Sequence, residues 1–125
     1  MHSRRLLLPL LLLATLAATA ERLVAQQPRV VSDSQAAQYV GQTVTVEGIV
    51  AQVGHSRRSN TTFLDFGARY PNSTFVAVIF ASAADRFPNP DQWEGRRVRV
   101  TGRVRMYQAR PEIILDTPSQ LVAAP

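Results

Sequence analysis

The stretch YVGQTVTVEGIV, residues 39–50, decides the fold, because its pattern returns as WEGRRVRVTGRV at residues 93–104. Each copy has an aromatic residue, a glycine two places later, and valines at every second or fourth position after that. Alternation of apolar and polar residues over this length is typical of half-buried β-strands. Gly48 and Gly102 fall inside these strands, where a glycine often marks a bulge or a tight bend. Two long, bent strands in a short chain favour a small closed barrel.

The first twenty residues have the composition of a secretory signal peptide. Arg4 and Arg5 form a basic start, a run of mostly leucine and alanine follows, and Ala-Thr-Ala at 18–20 fits an Ala-x-Ala cleavage site. The apolar run is shorter than the ~20 residues of a membrane span. We therefore expect residues 1–20 to be a signal peptide and 21–31 a flexible lead-in. The mature protein is then periplasmic or secreted, without membrane insertion.

Composition narrows the class of protein. The chain has 125 residues, no cysteine and a formal net charge of +5. Disulfides and thiolate metal sites are therefore excluded, and one apolar core has to stabilise a single domain. Loss of the signal peptide removes two of the 14 basic residues and none of the nine acidic ones, which leaves +3. A charge of this size is compatible with polyanion binding but does not require it.

The remaining pattern predicts an all-β domain over residues 32–118, followed by a C-terminal tail, 119–125. We expect a short N-terminal helix at 34–39 and a helical turn at 83–87, because Pro88 and Pro90 prevent a longer helix. The turn separates the third predicted strand from the fourth. This is the layout of the five-stranded Greek-key barrel called the OB-fold, which binds oligonucleotides or oligosaccharides. The five strands are predicted at 42–53, 61–66, 74–80, 96–107 and 112–116.

Two short motifs extend the argument from fold to family. The second strand reads Phe-Leu-Asp-Phe-Gly at 63–67, and the fifth is entered through Arg-Pro-Glu-Ile at 110–113. With these motifs, residues 39–116 resemble the nucleic-acid-binding OB domains related to the anticodon-binding module, in particular small secreted bacterial versions. Ala109 departs from that pattern, because such domains often have a turn glycine there. The resemblance implies an OB barrel whose loops flank a nucleic-acid groove.

Four arginines on the fourth strand allow two interpretations. They alternate with apolar residues or glycine, so period two places all four on the outer face. They form either a basic stripe along a phosphate backbone or a ladder of ion pairs with three outward carboxylates on neighbouring strands. We expect the ladder to account for most of them. The arginines are Arg97, Arg99, Arg103 and Arg105, and the carboxylates are Glu47, Glu112 and Asp116.

The candidate site combines loop arginines with aromatic residues of the groove. Arginines would contact phosphates, and aromatic rings would stack on bases, a contact worth ~1–3 kcal/mol per base. Asp65, on the same face, would repel phosphate. The candidate binding residues are Arg57, Arg58, Phe63, Arg69, Tyr70, Phe75, Arg105, Tyr107 and Arg110.

No catalytic pattern accompanies these residues. His55 is the only histidine after residue 20 and lies in a predicted polar loop, and no metal-ligand spacing or phosphate-binding glycine loop is present. We therefore expect a monomeric, non-catalytic binding protein that needs neither cofactor nor metal. Single-stranded nucleic acid is the first predicted ligand. The alternative is an envelope protein, peptide or glycan bound through the same groove.

Overall fold

The two repeated stretches of the sequence become neighbouring antiparallel strands in a computed structural model, which describes residues 27–125. The predicted signal peptide and most of the lead-in lie outside the described residues. Within these residues eight strands form one sheet, which confirms the prediction of an all-β fold, whereas the sequence pattern predicts five strands. The strands are β1 (Val30–Ser32), β2 (Thr43–Ser56), β3 (Thr61–Phe66), β4 (Phe75–Ile79), β5 (Arg97–Arg103), β6 (Arg105–Tyr107), β7 (Arg110–Ile114) and β8 (Leu121–Ala123).

Strand β2 holds the sheet together. The strand order is β6-β7-β4-β3-β2-β5-β8, and β1 pairs in parallel with β2. The register of β2 with β3 shifts between Val50 and Gln52, so the strand is irregular there and bends. Its first half pairs with β1 and β5, and its second half pairs with β3. Most neighbouring strands are antiparallel, and β4 and β7 are parallel.

The fourth predicted strand is two strands, because the chain turns at Val104. The N–H of Val104 donates to the carbonyl of Gln42, and its carbonyl accepts from the N–H of Gly41. β5 therefore pairs with β2, whereas β6, one residue further on, pairs with β7 at the other end of the strand order. Alternation of residue types continues through this break, so the sequence pattern alone does not show it.

Two further strands lie where the sequence predicted a lead-in and a tail. Val30 and Val31, at the end of the predicted lead-in, pair with β2, and the side chain of Val31 is buried in the core. Residues 121–123, in the predicted tail, form β8 beside β5, with Leu121 buried. Each segment is only three residues long, and one apolar contact anchors it. Such short segments lack the alternation that identifies longer strands.

Short 3₁₀ helices connect the strands. Asp33–Tyr39 forms the predicted N-terminal helix, and the N–H of Ser32 before it donates to Gln35 Oε1 at 3.4 Å. The predicted helical turn is Ala81–Arg86, a third 3₁₀ helix, Pro90–Trp93, follows it, and a fourth, Pro118–Gln120, precedes β8. Within residues 27–125, no helix is both long and apolar enough to cross a membrane.

The valines of the repeats fill the core, as their alternation predicts. The inward valines of β2 and β5 are almost fully buried, and they meet Leu64 and Phe66 of β3 and Ile113 of β7. The core packs closely against the two repeated glycines, Gly48 and Gly102, because they have no side chain. A Cβ on Gly48 would lie 3.1 Å from a ring carbon of Phe66, and one on Gly102 would lie 2.5 Å from Cγ2 of Ile113. At Gly48 the nearest atom to such a Cβ is Asp33 Oδ1 at 2.8 Å, so close packing favours glycine at both positions and most strongly at Gly102.

We predict that Gly102→Ala destabilises the protein by about 1–3 kcal/mol, because the added methyl group overlaps the buried Ile113 side chain. Gly54→Ala is the matched control, since a Cβ there meets nothing within 4 Å. Urea unfolding of both variants measures the effect, and we expect the control to change stability by less than about 0.5 kcal/mol. Equal losses in the two variants would contradict the packing argument.

Candidate binding groove

One row of side chains crosses five strands on the outer face of the sheet. The registers pair Gln52 with Asp65, Asp65 with Val76, Val76 with Glu112, and Glu112 with Arg105. Cross-strand partners point to the same face, so these side chains lie next to one another from β2 to β6. Four of the five are polar or charged. The row is the floor of a groove.

Two adjoining clefts make up this groove, with volumes of about 460 and 550 Å³. Both are lined by Phe63, Tyr107 and Glu112, so they form one continuous depression. These volumes are typical of ligand sites. The first cleft also contacts Gln52, His55, Ser56, Asp65, Tyr70, Val76, Gln108 and Arg110, and the second contacts Ser59, Thr61, Val78, Phe80, Ser82 and Arg105.

Asp65 is the most unusual residue of the groove floor. It is only 3% exposed, yet it lines the first cleft. Burial raises the pKa of Asp65 above its ordinary value, and the Ser73 hydroxyl and the charge of Arg110 partly oppose this. Ser73 Oγ, although close, does not meet the geometry of a hydrogen bond. Within residues 27–125 the carboxylate of Asp65 makes no ion pair, so its oxygens are free to accept hydrogen bonds from a ligand.

The arginines of the fourth predicted strand are mostly paired, as the ladder interpretation predicts. Arg99 Nε lies 2.8 Å from Glu47 Oε1, and Arg97 Nη1 lies 3.9 Å from Glu47 Oε2. Arg105 Nε lies 2.7 Å from Oε1 of Glu112, a residue only 6% exposed. Arg105 thus lines the groove with its charge already compensated. A continuous basic stripe on this strand is therefore not supported.

The two remaining members of the ladder behave differently. Arg103 has no acidic partner in the described part of the chain, and it lies outside both clefts. Asp116 was predicted to face an arginine of this strand. Its backbone carbonyl instead accepts a hydrogen bond from Arg86 Nη1 at 3.2 Å.

Tyr70 and Arg110 form one wall of the groove. The guanidinium of Arg110 lies over the Tyr70 ring, 5.6 Å from the centroid, and its Nη2 donates to the carbonyl of Pro71 at 2.6 Å. The N–H of Tyr70 donates to Gln52 Oε1 at 3.2 Å. Tyr70 is nevertheless 70% exposed, so the ring is held in place while one side remains open.

Phe75 is a correction to the predicted aromatic platform. It is fully buried, and its ring contacts Phe66 edge to face with a centroid distance of 5.2 Å. Phe75 and Phe66 are register partners on β4 and β3 that both point inward. The third predicted strand is apolar on both faces, so its sequence does not show which residues face the core. Phe63, Tyr70 and Tyr107 are the candidate aromatic residues that line the groove.

The loop arginines divide into two groups. Arg110 lines the groove, whereas Arg57, Arg58 and Arg69 are exposed outside its lining. Arg57 and Arg58 lie in the turn between β2 and β3, and Arg69 lies in the connection from β3 to β4. Both connections adjoin strands of the groove floor, so these arginines lie on segments at its rim.

His55 lies at the end of β2, and not in the polar loop that the sequence predicted. Its Nε2 is 2.8 Å from Asp91 Oδ1, and its Nδ1 is 3.1 Å from Thr62 Oγ1. His55 and Thr62 are cross-strand partners. Because Thr62 is buried, its hydroxyl is not accessible to act as a nucleophile beside His55. The contacts attach the helix Pro90–Trp93 to the edge of the groove. Among residues 27–125, no group of three or more His, Cys, Asp or Glu residues could hold a metal ion.

Comparison with known proteins finds similarity in structure only. No protein-family model matches the sequence, and no curated protein matches it. A putative aspartyl-tRNA synthetase from Leishmania major Friedlin matches with a TM-score of 0.52 and 12% identity, over 78% of this chain and 21% of the synthetase. The shared fold therefore corresponds to about a fifth of that enzyme.

Two further synthetase structures match less closely. The aspartyl-tRNA synthetase from Entamoeba histolytica has a TM-score of 0.45 and 20% identity, over 70% of this chain and 20% of its own. The asparaginyl-tRNA synthetase of the same organism, in complex with asparaginyl-adenylate, has a TM-score of 0.41 and 18% identity, over 78% and 24%. All three are aminoacyl-tRNA synthetases, and this chain spans only a fifth to a quarter of each.

We predict that Asp65→Asn stabilises the protein at pH 7. A carboxyl whose pKa is raised on folding lowers stability as the pH rises through that pKa, because the folded state holds the proton more tightly. Asparagine has nearly the same shape and no charge to desolvate. Thermal unfolding at pH 7 and near pH 4 provides the measurement. We expect the gain to shrink at the lower pH, where Asp65 is increasingly protonated in both states. A constant difference at both pH values would contradict this.

Proposed function

We propose that this protein is a non-catalytic binding protein that holds single-stranded nucleic acid in the groove. The observation that carries the proposal is the groove itself, in which Phe63, Tyr70 and Tyr107 line a cleft of about 460 Å³ with arginines on the adjacent loops. Bases of single strands stack on aromatic rings with little dependence on sequence. Exposed arginines near the rings supply the contacts to phosphates.

The fold proposed for this function is an OB-type barrel. β5 and β6 belong to opposite parts of the strand order, yet Val104 alone separates them. One bent strand thus joins the two sides of the sheet, as closure of a barrel requires. The parallel pair β4 and β7 and the 3₁₀ helices before β5 agree with this topology. The motifs at 63–67 and 110–113, which resemble anticodon-binding OB domains, support the same assignment.

The charges of the groove indicate where the bases and where the phosphates of the proposed ligand would lie. Asp65 lies at the floor without an ion pair among residues 27–125, so its charge would repel a phosphate backbone that followed the floor. Arg57, Arg58 and Arg69 lie on exposed segments beside the groove. In the proposed complex the bases therefore point to the floor and the phosphates run along the rim.

The proposed compartment is outside the cytoplasm of a bacterium, in the periplasm or the medium. The support for it is the signal-peptide pattern of residues 1–20. DNA outside the cytoplasm would be the available polyanion there. We propose a monomer without cofactor or metal, since binding by stacking and charge requires neither.

A glycan is the second candidate ligand, and the floor of the groove favours it. Asp65 and Glu112 offer carboxylate acceptors for sugar hydroxyls, next to exposed faces of Tyr70 and Tyr107. A neutral sugar would use these groups without needing the arginines. Salt distinguishes the two ligands, because only a phosphate ligand loses affinity steeply as ionic strength rises.

The rim arginines are tested by titrating the purified protein with labelled single-stranded DNA at several salt concentrations. We expect Arg57→Gln/Arg58→Gln to reduce the slope of log affinity against log salt by about 1.4, the value for two lost contacts to a single strand. Arg103→Gln is the control, because Arg103 is exposed on β5, whereas Arg57 and Arg58 lie in the turn between two strands of the groove floor. No binding of DNA at low salt would contradict the nucleic-acid proposal and favour the glycan instead.

The aromatic contact is tested with two variants of Tyr107, which is 55% exposed and lines both clefts. Tyr107→Ala removes the ring and should weaken binding of single-stranded DNA about tenfold or more. Tyr107→Phe keeps the ring and should bind nearly as well as the original protein. Equal binding by all three proteins would exclude stacking on this residue.

A further inference from the structure

The floor of the groove has a hydrogen-bonding pattern that distinguishes one base from the others. Asp65 offers two carboxylate oxygens, which only accept when the group is ionised. Gln52, its cross-strand partner, accepts the N–H of Tyr70 through Oε1, which leaves its amide N–H groups to donate. Acceptors thus lie beside a donor in the first cleft.

Guanine is the base whose Watson–Crick edge matches this pattern. Its edge presents two adjacent donors, the ring N1–H and the exocyclic amine, followed by the O6 acceptor. A carboxylate can accept from both donors at once, and an amide beside it, such as that of Gln52, can donate to O6. Cytosine and adenine each have one donor group on this edge, and thymine has its ring N–H between two acceptors. A free carboxylate therefore pairs best with guanine.

The environment of Asp65 supports a role in recognition over a role in stability. The residue is only 3% exposed, and within the described chain it makes no ion pair. The nearby acid Glu112 is bound by Arg105 at 2.7 Å, so the contrast lies within one groove. A buried carboxylate without an ion pair is costly to a fold, whereas a ligand that donates two hydrogen bonds satisfies it.

We propose that Asp65 and Gln52 make the groove selective for guanine in a single strand, with Asp65 as the residue that determines specificity. This inference rests on the proposed nucleic-acid function and deepens it. The aromatic residues supply stacking that is indifferent to sequence, and the floor supplies the discrimination. Discrimination of this kind is large, because loss of one donor leaves a buried acceptor unpaired.

The test uses oligothymidylate strands of about nine nucleotides, within the length that one OB-type groove binds. One strand has a central deoxyguanosine, and a second has deoxyinosine, which lacks only the 2-amino group. A third strand contains thymidine throughout. We expect the purified protein to bind the guanine strand about tenfold more tightly than the inosine strand at pH 7.

Two variants assign the effect to Asp65. Asp65→Asn should bring the ratio of the two affinities close to one, because the amide offers one acceptor only. Asp85→Asn makes the same change in charge at an exposed residue that lines neither cleft, and should leave the ratio unchanged. Both variants raise general affinity for DNA through charge, so the ratio is the measurement that matters.

The outcomes separate the two proposals. A guanine preference that disappears in Asp65→Asn and persists in Asp85→Asn supports the inference. Tight binding of all three strands with equal affinity overturns it and leaves the nucleic-acid function in place. If none of the strands binds at low salt, both proposals fail together.

Discussion

The bend in β2 is the constraint on which the other strands depend. Because the register shifts between Val50 and Gln52, one continuous strand serves two groups of neighbours, with β1 and β5 along its first half and β3 along its second. Val104 completes the arrangement by bonding to residues 41 and 42 at the start of the same strand. Close packing against Gly48 and Gly102 lets the core valines and aromatic residues meet across this curved sheet. The groove floor lies on the outer face of this curved sheet.

Charge is distributed unevenly over the two faces of the molecule. On the β2–β5 face, Glu47 lies between Arg97 and Arg99, so it compensates part of the positive charge there. In the groove, Glu112 is compensated by Arg105, whereas Asp65 has only the more distant charge of Arg110. Both carboxylates are buried in the described part of the chain, but only Glu112 has an ion pair to offset its desolvation. Such local conflict between stability and chemistry is characteristic of functional positions.

Sequence reasoning succeeded where periodicity reports directly on burial. The alternating valines of the repeats identified two core strands and placed the arginines outward, and cross-strand pairing explained most of those charges. It failed where a side chain's direction depends on tertiary packing, as for Phe75 in a strand apolar on both faces. Segments of three residues, such as β8, have too few positions to show a pattern. The sequence identifies Asp65 as a charge that would repel phosphate. It does not show the surroundings of the carboxylate, because Gln52, Ser73 and Arg110 are brought to Asp65 only by the fold.

A carboxylate at the bottom of a groove also bears on which form of nucleic acid can be recognised. In a double helix the Watson–Crick edges face their partner bases, and their donors are already used. A site whose selective contact is with that edge would be unable to read paired strands, whatever their backbone charge. Preference for melted or unpaired segments would then follow from hydrogen-bond availability, without any steric gate in the protein. Asp65 lines the same cleft as Phe63 and Tyr107. Its position would therefore determine which base is bound and also restrict binding to bases that are unpaired.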